Sequence, residues 1–375
     1  MRALIAVGHA GIYAGGAHQA LYCIIGLQRA GVEVAAVWGK DAEGDKVGLA
    51  RLRAVCPNVH MMDISRRPTL DSLRAFRRLL LDFQPDVVET FKSSAQYHAL
   101  FGGIGLNRHA LLFYRGISRV MDYTQELKYR LNRVDLVIPN CGALKEIILR
   151  SGRVNPEKVQ IIYDEFDPAC GNPEKVDATG LRAELGIPED VLLVTHLGNY
   201  SPWRGQTVTL KAVKVLKDRG LKFRMFFCGQ GTELLQPEIA ELGIGDIVTL
   251  SSYRRDPERV LKISDILVNS SIGNESLSGA LLNSQVMGIP AVASRMPGFD
   301  ESVGDGETGL LVPVGDHVGL ADGIAKFLEM PTAERLEWGA RAHRRAMERF
   351  SSEARAKRRI ELYRQAIEKR TGRAI

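Results

Sequence analysis

Short apolar runs separated by amphipathic stretches recur along almost the whole chain. Leu4 to Val7, Val32 to Val37, Val59 to Met62, Val87-Val88, Leu111 to Tyr114, Leu136 to Ile138 and Val159 to Tyr163 have the length and the branched or aromatic content of buried strands. Between them, Ala17 to Arg29 and Leu70 to Phe83 repeat apolar residues three and four apart, as a helix with one buried face does. This alternation predicts βα units and a parallel sheet covered by helices. Residues 167 to 190 interrupt it with Pro168, Gly171, Pro173, Gly180 and Pro188, a linker composition. A second series follows, with strands at Val191 to Thr195, Arg224 to Cys228, Ile247 to Leu250, Ile266 to Asn269, Ala291 to Ala293 and Leu310-Leu311. The chain closes on two helices, Thr332 to Phe350 and one opening at Ser351-Ser352.

A length of 375 residues exceeds one ordinary core and agrees with two α/β domains. We place the first at 1–170, a linker at 171–190 and the second at 191–351, with a last helix at about 352–375. Hydrophobic residues at 45% and charged residues at 25% fit a soluble globular chain. No apolar run approaches a membrane span, and the opening Met1 to Gly8 reads as a first strand rather than a signal peptide, which predicts a location inside the cell. Five scattered cysteines lack any CxxC spacing, so a metal cluster or disulfide framework is not expected.

The net charge of +6 is concentrated. Residues 66 to 133 carry twelve Lys or Arg against six Asp or Glu, which equals the whole excess. Arg74, Arg77 and Arg78 flank a helical stripe there. Two readings stand: a solvated helix face, or a surface for anionic lipid or a phosphorylated acceptor. Nucleic acid is disfavoured, because no aromatic platform interleaves with the basic residues.

Three stretches have the residue types of a phosphate or sugar site. Gly8 to Gly11 and Gly15-Gly16-Ala17 follow the first strand and precede a helix, where a backbone can approach a ligand without a Cβ in the way. The loop is not GxGxxG, and Val37-Trp38 stands where a ribose-binding acid would, which argues against a dinucleotide. Gly273-Asn274-Glu275-Ser276 supplies a turn before the helical run Ala280-Leu281-Leu282, so free N–H groups at Ser276 to Gly279 could attract a phosphate. His9 and His18, beside the Gly-rich loop, have an ordinary reading as local hydrogen-bonding residues.

Residues 269 to 316 resemble the glutamate motif of retaining glycosyltransferases of the GT-B fold, family 4 (glycosyl transferases group 1), through Glu275, Gly288-Ile289-Pro290 and Gly306-Glu307-Thr308-Gly309. The resemblance implies two Rossmann-like domains with parallel sheets facing a central cleft, the last helix crossing back to the N-terminal domain. It implies a nucleoside-diphosphate sugar held by the second domain, with Glu275 on the sugar. Ser276, Ser278, Gly279 and Leu282, around the helix start, complete the implied donor site. The family's second acid is replaced by Asn283, which weakens the implied ribose contact. Of two cations that clamp the diphosphate in the family, Arg204 remains and the other position holds Asn199. Gly229, Tyr253 and Arg254 resemble turns that line the nucleotide pocket, and Gly15 and Gly16 resemble the loop that lies against the diphosphate and acceptor. Arg115 stands where many members place a histidine in the acceptor cleft; an arginine is no base at neutral pH but could bind an acceptor anion.

The implied activity is retaining transfer to a glycan or lipid-linked acceptor, as in cell-envelope polysaccharide or lipopolysaccharide synthesis. No metal or other cofactor is expected, and the location would be cytoplasmic, with peripheral contact to an anionic membrane surface left open. The departures at Asn199, Asn283 and Arg115 leave a second possibility, a non-catalytic sugar-nucleotide or glycan-binding relative.

Overall fold

The computed structural model describes residues 1–12 and 15–374, and the chain divides into two compact units, Met1–Glu165 with Ser352–Ile375 and Phe166–Ser351. In the first, β1 (Arg2–Val7), β2 (Glu33–Gly39), β3 (Val59–Met62), β4 (Val87–Phe91), β5 (Ala110–Arg115) and β6 (Leu136–Pro139) form one parallel sheet in the order β3-β2-β1-β4-β5-β6. In the second, β7 (Leu193–Leu197), β8 (Arg224–Cys228), β9 (Val248–Ser251), β10 (Ile266–Asn269), β11 (Ala291–Ser294) and β12 (Gly309–Val312) form another, ordered β12-β11-β10-β7-β8-β9. The two orders are the same doubly wound pattern. Winding reverses between β1 and β4 in one unit and between β7 and β10 in the other, and such sheets bind ligands outside the strand carboxyl ends at that reversal.

Central strands have two buried faces, and β1 shows both. Ala3, Ile5 and Val7 point into a core shared with the helix Gly15–Arg29 and the C-terminal helix Ser352–Thr371, while Leu4 and Ala6 face Phe76, Leu80 and Ala99 on the other side. The second unit repeats this with Val194, Phe227 and Val268 against one set of helices and Leu193 and Phe226 on the opposite face.

The C-terminal helix belongs to the first unit because a buried charge network holds it there. Arg359 Nε donates to Glu89 Oε2 on β4 at 3.1 Å, its Nη1 reaches Glu165 Oε1 at 3.5 Å, and Tyr363 donates to Glu89.

Two sequence expectations need correction. Val159 to Tyr163 is not a named strand: it runs extended beside β6, with Gln160 N–H on Val137 O and Ile162 N–H on Pro139 O, but only Val159 forms a bridge. The division between units falls at Glu165/Phe166, and residues 166 to 190 pack on the second unit instead of spanning freely. Cys170 and Leu181 are wholly buried. Arg182 donates to the carbonyls of Pro188, Val191 and Ile263 and to Asp265.

The basic segment is divided between interior and surface. Arg115 and Lys128 are buried, Arg133 pairs with Asp135 and Arg77 donates to the Gly102 and Ile104 carbonyls. Arg66, Arg67, Arg74, Arg78, Lys92, Arg108, Arg119 and Arg130 remain exposed, and no helix among the described residues is long and apolar enough to cross a membrane.

Candidate functional site

In the second unit the reversal between β7 and β10 brings two charged side chains together. After β7 the chain makes a turn at Pro202–Arg204 and enters the helix Gln206–Asp218 through Gly205. Gly205 has φ 67°, and a Cβ there would lie 1.9 Å from Ser270 O. Only glycine permits this approach, which is sealed by Ser270 Oγ donating to Gly205 O at 2.6 Å and Ile272 N–H to Trp203 O at 2.7 Å. The loop after β7 is thus stitched to the loop after β10, so that Arg204 Nη2 sits 3.2 Å from Glu275 Oε1. Burial pushes the Glu275 carboxyl up and Arg204 opposes it. Beneath them His196, at the end of β7, stacks on Phe227, and burial with Arg204 nearby lowers its pKa to about 4.

The helix Gly279–Val286 begins beside this pair. Ser278, its N-cap residue, makes no side-chain cap: its hydroxyl instead accepts from Asn269 Nδ2 at 2.9 Å, and Asn269 Oδ1 accepts from Ser271. The exposed Gly279 therefore leads a helix start without a side-chain cap, a place suited to an anionic oxygen. Ser276 is buried in the same turn. Leu282 does not belong to such a site, since its side chain is wholly buried and its N–H donates to Ser278 O. Asn283 is also committed elsewhere: its Oδ1 accepts the Asp167 N–H at 2.7 Å, tying residues 166 to 171 to this helix.

Asn199 behaves in the same way. Its Oδ1 accepts the Gln230 N–H at 2.9 Å, and its carbonyl accepts from Gln206, so the side chain joins the loop after β7 to that after β8. Gly229 serves that junction, because a Cβ there would stand 2.2 Å from Gly198 O. Arg254 is held by Asp256 through two bonds of 2.8 Å and by Glu184 at 2.7 Å, and these carboxylates raise its pKa. Tyr253 beside it is exposed. Among the described residues no group of three or more His, Cys, Asp or Glu is placed to hold a metal.

The first unit has its own reversal, between β1 and β4. Gly15 and Gly16 open the helix that follows β1, and a Cβ on Gly16 would lie 2.7 Å from His9 Nε2. Burial, with Lys92 contributing, lowers the His9 pKa to about 4. Arg115, at the end of β5, is buried: Nη1 donates to Gln125 Oε1 at 3.1 Å and Nη2 to Arg119 O, so the guanidinium is spent on the following loop and is no exposed anion contact.

One residue there escaped the sequence reading. Lys92, the exposed residue that links β4 to the helix Ser93–Gly102, has φ 80° and ψ 145°. For a residue with a Cβ this costs about 1–3 kcal/mol. The sequence offers only the abrupt polar break Lys92-Ser93-Ser94 after β4 as a signal.

Two family models cover most of the chain. The model described as Glycosyl transferases group 1 matches residues 177–345, and that described as Glycosyltransferase Family 4 matches residues 13–169. Among curated relatives, a D-inositol 3-phosphate glycosyltransferase of Saccharomonospora viridis is 31% identical over 64% of this chain and 58% of that protein. The chain spans about half to two thirds of the length of the first such relatives, with 50%, 58% and 66% covered. Among solved structures, a glycosyltransferase from Rickettsia africae superposes with TM-score 0.85 at 15% identity, covering 98% of this chain and 99% of that one. HepE of Anabaena in complex with UDP-glucose gives TM-score 0.78 at 19% identity, covering 96% and 98%. At these identities the structures attest the fold.

Proposed function

Since the chain belongs to the group 1 glycosyltransferases of the GT-B fold, we propose that it moves a sugar from a nucleoside-diphosphate sugar to a glycan or lipid-linked acceptor. The observation that carries this reading is the Arg204–Glu275 pair at the β7/β10 reversal, beside the helix start at Gly279. Arg204 and the N–H groups at that start would bind the diphosphate, and Glu275 would accept hydrogen bonds from the sugar hydroxyls. Binding the phosphates to Arg204 would take it from Glu275, leaving a buried carboxylate that the sugar must satisfy.

In the proposed reaction the acceptor oxygen bonds to the anomeric carbon as the bond from that carbon to the diphosphate oxygen breaks. The acceptor proton passes to a diphosphate oxygen on the same face, which gives retention without a protein base. Fixed cationic and N–H partners for the departing charge are the main catalytic need. No metal is required in this scheme. Activity lost in chelator and restored by Mg²⁺ would overturn that part.

UDP comes first in a donor panel because the neighbour HepE is described with UDP-glucose. Thermal shifts with UDP, GDP, ADP and their sugars should single out one base, since a ligand at about 100 times its Kd stabilises by about 2.7 kcal/mol. Glu275→Gln should keep the nucleotide shift and lose about a hundredfold or more in transfer. Unchanged turnover in that variant, or no shift with any nucleotide, would sink the reading. A nucleotide shift without transfer to any acceptor would favour a non-catalytic binding protein.

A further inference from the structure

We propose that the first unit binds a dissolved, phosphate-bearing small molecule in a cavity at the amino ends of β1, β4 and β5. This is the sheet edge opposite the carboxyl ends where winding reverses, and the site does not rest on the transfer reading.

Its place follows from the strands. Arg2 opens β1, Asp86 precedes β4 and His109 precedes β5, and all three line one cavity of ≈ 800 Å³ with Arg108, Arg370 and Arg373. That volume suits a small molecule. Arg370 lies in the last turn of the C-terminal helix, so segments distant in sequence meet here.

The carboxylate of the cavity is already committed. Asp86 Oδ2 accepts the Arg2 N–H at 2.8 Å, and Oδ1 accepts from Arg373 at 2.9 Å. The Arg2 guanidinium lies over the Phe83 ring, 4.7 Å from its centroid, and its Nε is buried with no hydrogen-bond partner. Glu33 stands off at 3.5 Å, largely exposed. Stacking fixes the plane of the Arg2 fork without using its N–H groups, an arrangement suited to a bidentate phosphate contact. Arg108 is exposed and has no hydrogen bond or ion pair among the described residues.

The wall adds positive charge. Arg370 Nε donates to Asp135 at 2.9 Å, and Arg133, whose Nε and Nη1 are buried without hydrogen bonds, donates to His109 through Nη2. Burial, with Arg133 and Arg370 adding to it, lowers the His109 pKa to about 3 and keeps that ring neutral. Among the described residues five arginines, Arg2, Arg108, Arg133, Arg370 and Arg373, pair with three carboxylates, Glu33, Asp86 and Asp135. The excess matches one phosphomonoester, which carries about −1.5 to −2 at pH 7. A neutral sugar would leave it uncompensated, and a carboxylate would meet about half of it. A phosphate shared by Arg2, Arg108 and Arg373 ties the end of the C-terminal helix to the strand ends.

The test titrates inorganic phosphate into the full chain by calorimetry, in wild type, Arg108→Gln, Arg2→Gln and Arg204→Ala. Phosphate should bind wild type and still bind Arg204→Ala, and it should lose about tenfold or more in affinity in Arg108→Gln and Arg2→Gln. Arg108→Gln should melt with the wild type when no phosphate is present, because its side chain has no polar partner to lose. In wild type, phosphate should slow hydrogen exchange at residues 108 to 110 and at Arg370. The proposal is overturned if phosphate does not bind wild type, if affinity is unchanged in Arg108→Gln, or if binding disappears in Arg204→Ala, which would put the ion in the second unit. Vesicles of phosphatidylcholine with phosphatidic acid separate a dissolved phosphate from a lipid headgroup. Capture of wild type but not of Arg108→Gln on them would assign the arginines to a membrane and overturn the proposal.

Discussion

Asn199, Asn283 and Arg115, the three positions that depart from the family pattern, each make bonds to the backbone of their own unit. Asn199 takes the Gln230 N–H, Asn283 takes the Asp167 N–H, and Arg115 gives to the Arg119 carbonyl. A side chain bound to a loop contributes by fixing that loop, so Asn283→Ala should cost about 1–3 kcal/mol by leaving the Asp167 N–H unpaired. Hydrogen exchange at Asp167 should accelerate in this variant; unchanged protection would show that the bond matters little. Gly205→Ala should be worse, at roughly 2–4 kcal/mol, because it adds a Cβ 1.9 Å from Ser270 O in a backbone that disfavours it. Urea denaturation measures this, and a cost below about 1 kcal/mol would mean that the junction relaxes. Glu275 and Arg204 were legible because a motif fixes residue type and spacing together. Lys92 was not, since the sequence records a side chain and not a dihedral angle, and a lysine in a basic segment looks like any other.

At the scale of elements, βα alternation was readable because central strands are buried on both faces and stand out as apolar runs. Val159 to Tyr163 has the same composition and donates to β6 from Gln160 and Ile162, but only Val159 forms a bridge, a shortfall in pairing that composition does not record. The stretch 166 to 190 misled through its prolines and glycines, although Cys170 and Leu181, both wholly buried, carried the opposite signal. The last helix was readable as an amphipathic stripe, but its anchor pairs residues 270 apart in sequence, which no local pattern reveals. Arg359 is buried against Glu89 and Glu165. Arg359→Met should cost about 3–5 kcal/mol, since it leaves Glu89 buried and without its cation. The loss should register first as faster hydrogen exchange over Ser352–Thr371. If that helix keeps wild-type protection, Tyr363 and the apolar contacts hold it without the charge.

For the whole molecule, acid should act on buried histidines and buried carboxyls in opposite senses. His9 and His109 in the first unit and His196 in the second have pKa values lowered from 6.5 to about 4, about 3 and about 4, chiefly by burial. A histidine whose folded pKa lies below its unfolded value contributes stability that is fully present above 6.5 and is lost as pH falls through that value toward 4. Asp164, also in the first unit, is displaced the other way: burial raises it from 3.8 to about 6, against the bonds from Tyr114 and Asn140. Its contribution is complete below 3.8 and is lost as pH rises through 6. In the first unit the two trends oppose each other between pH 4 and 6.5. In the second unit Glu275, raised by burial against the pull of Arg204, opposes His196 in the same sense. From pH 7.5 to 5, His196 alone should remove about 2 kcal/mol, from 1.36 kcal/mol for each pH unit below 6.5. His196→Phe keeps an aromatic ring against Phe227 and has no proton to take up, so its second unit should lose about 2 kcal/mol less over the same range. Hydrogen exchange of the β7 and β8 amides at both pH values measures the difference, and equal pH dependence in wild type and variant would refute the assignment to His196.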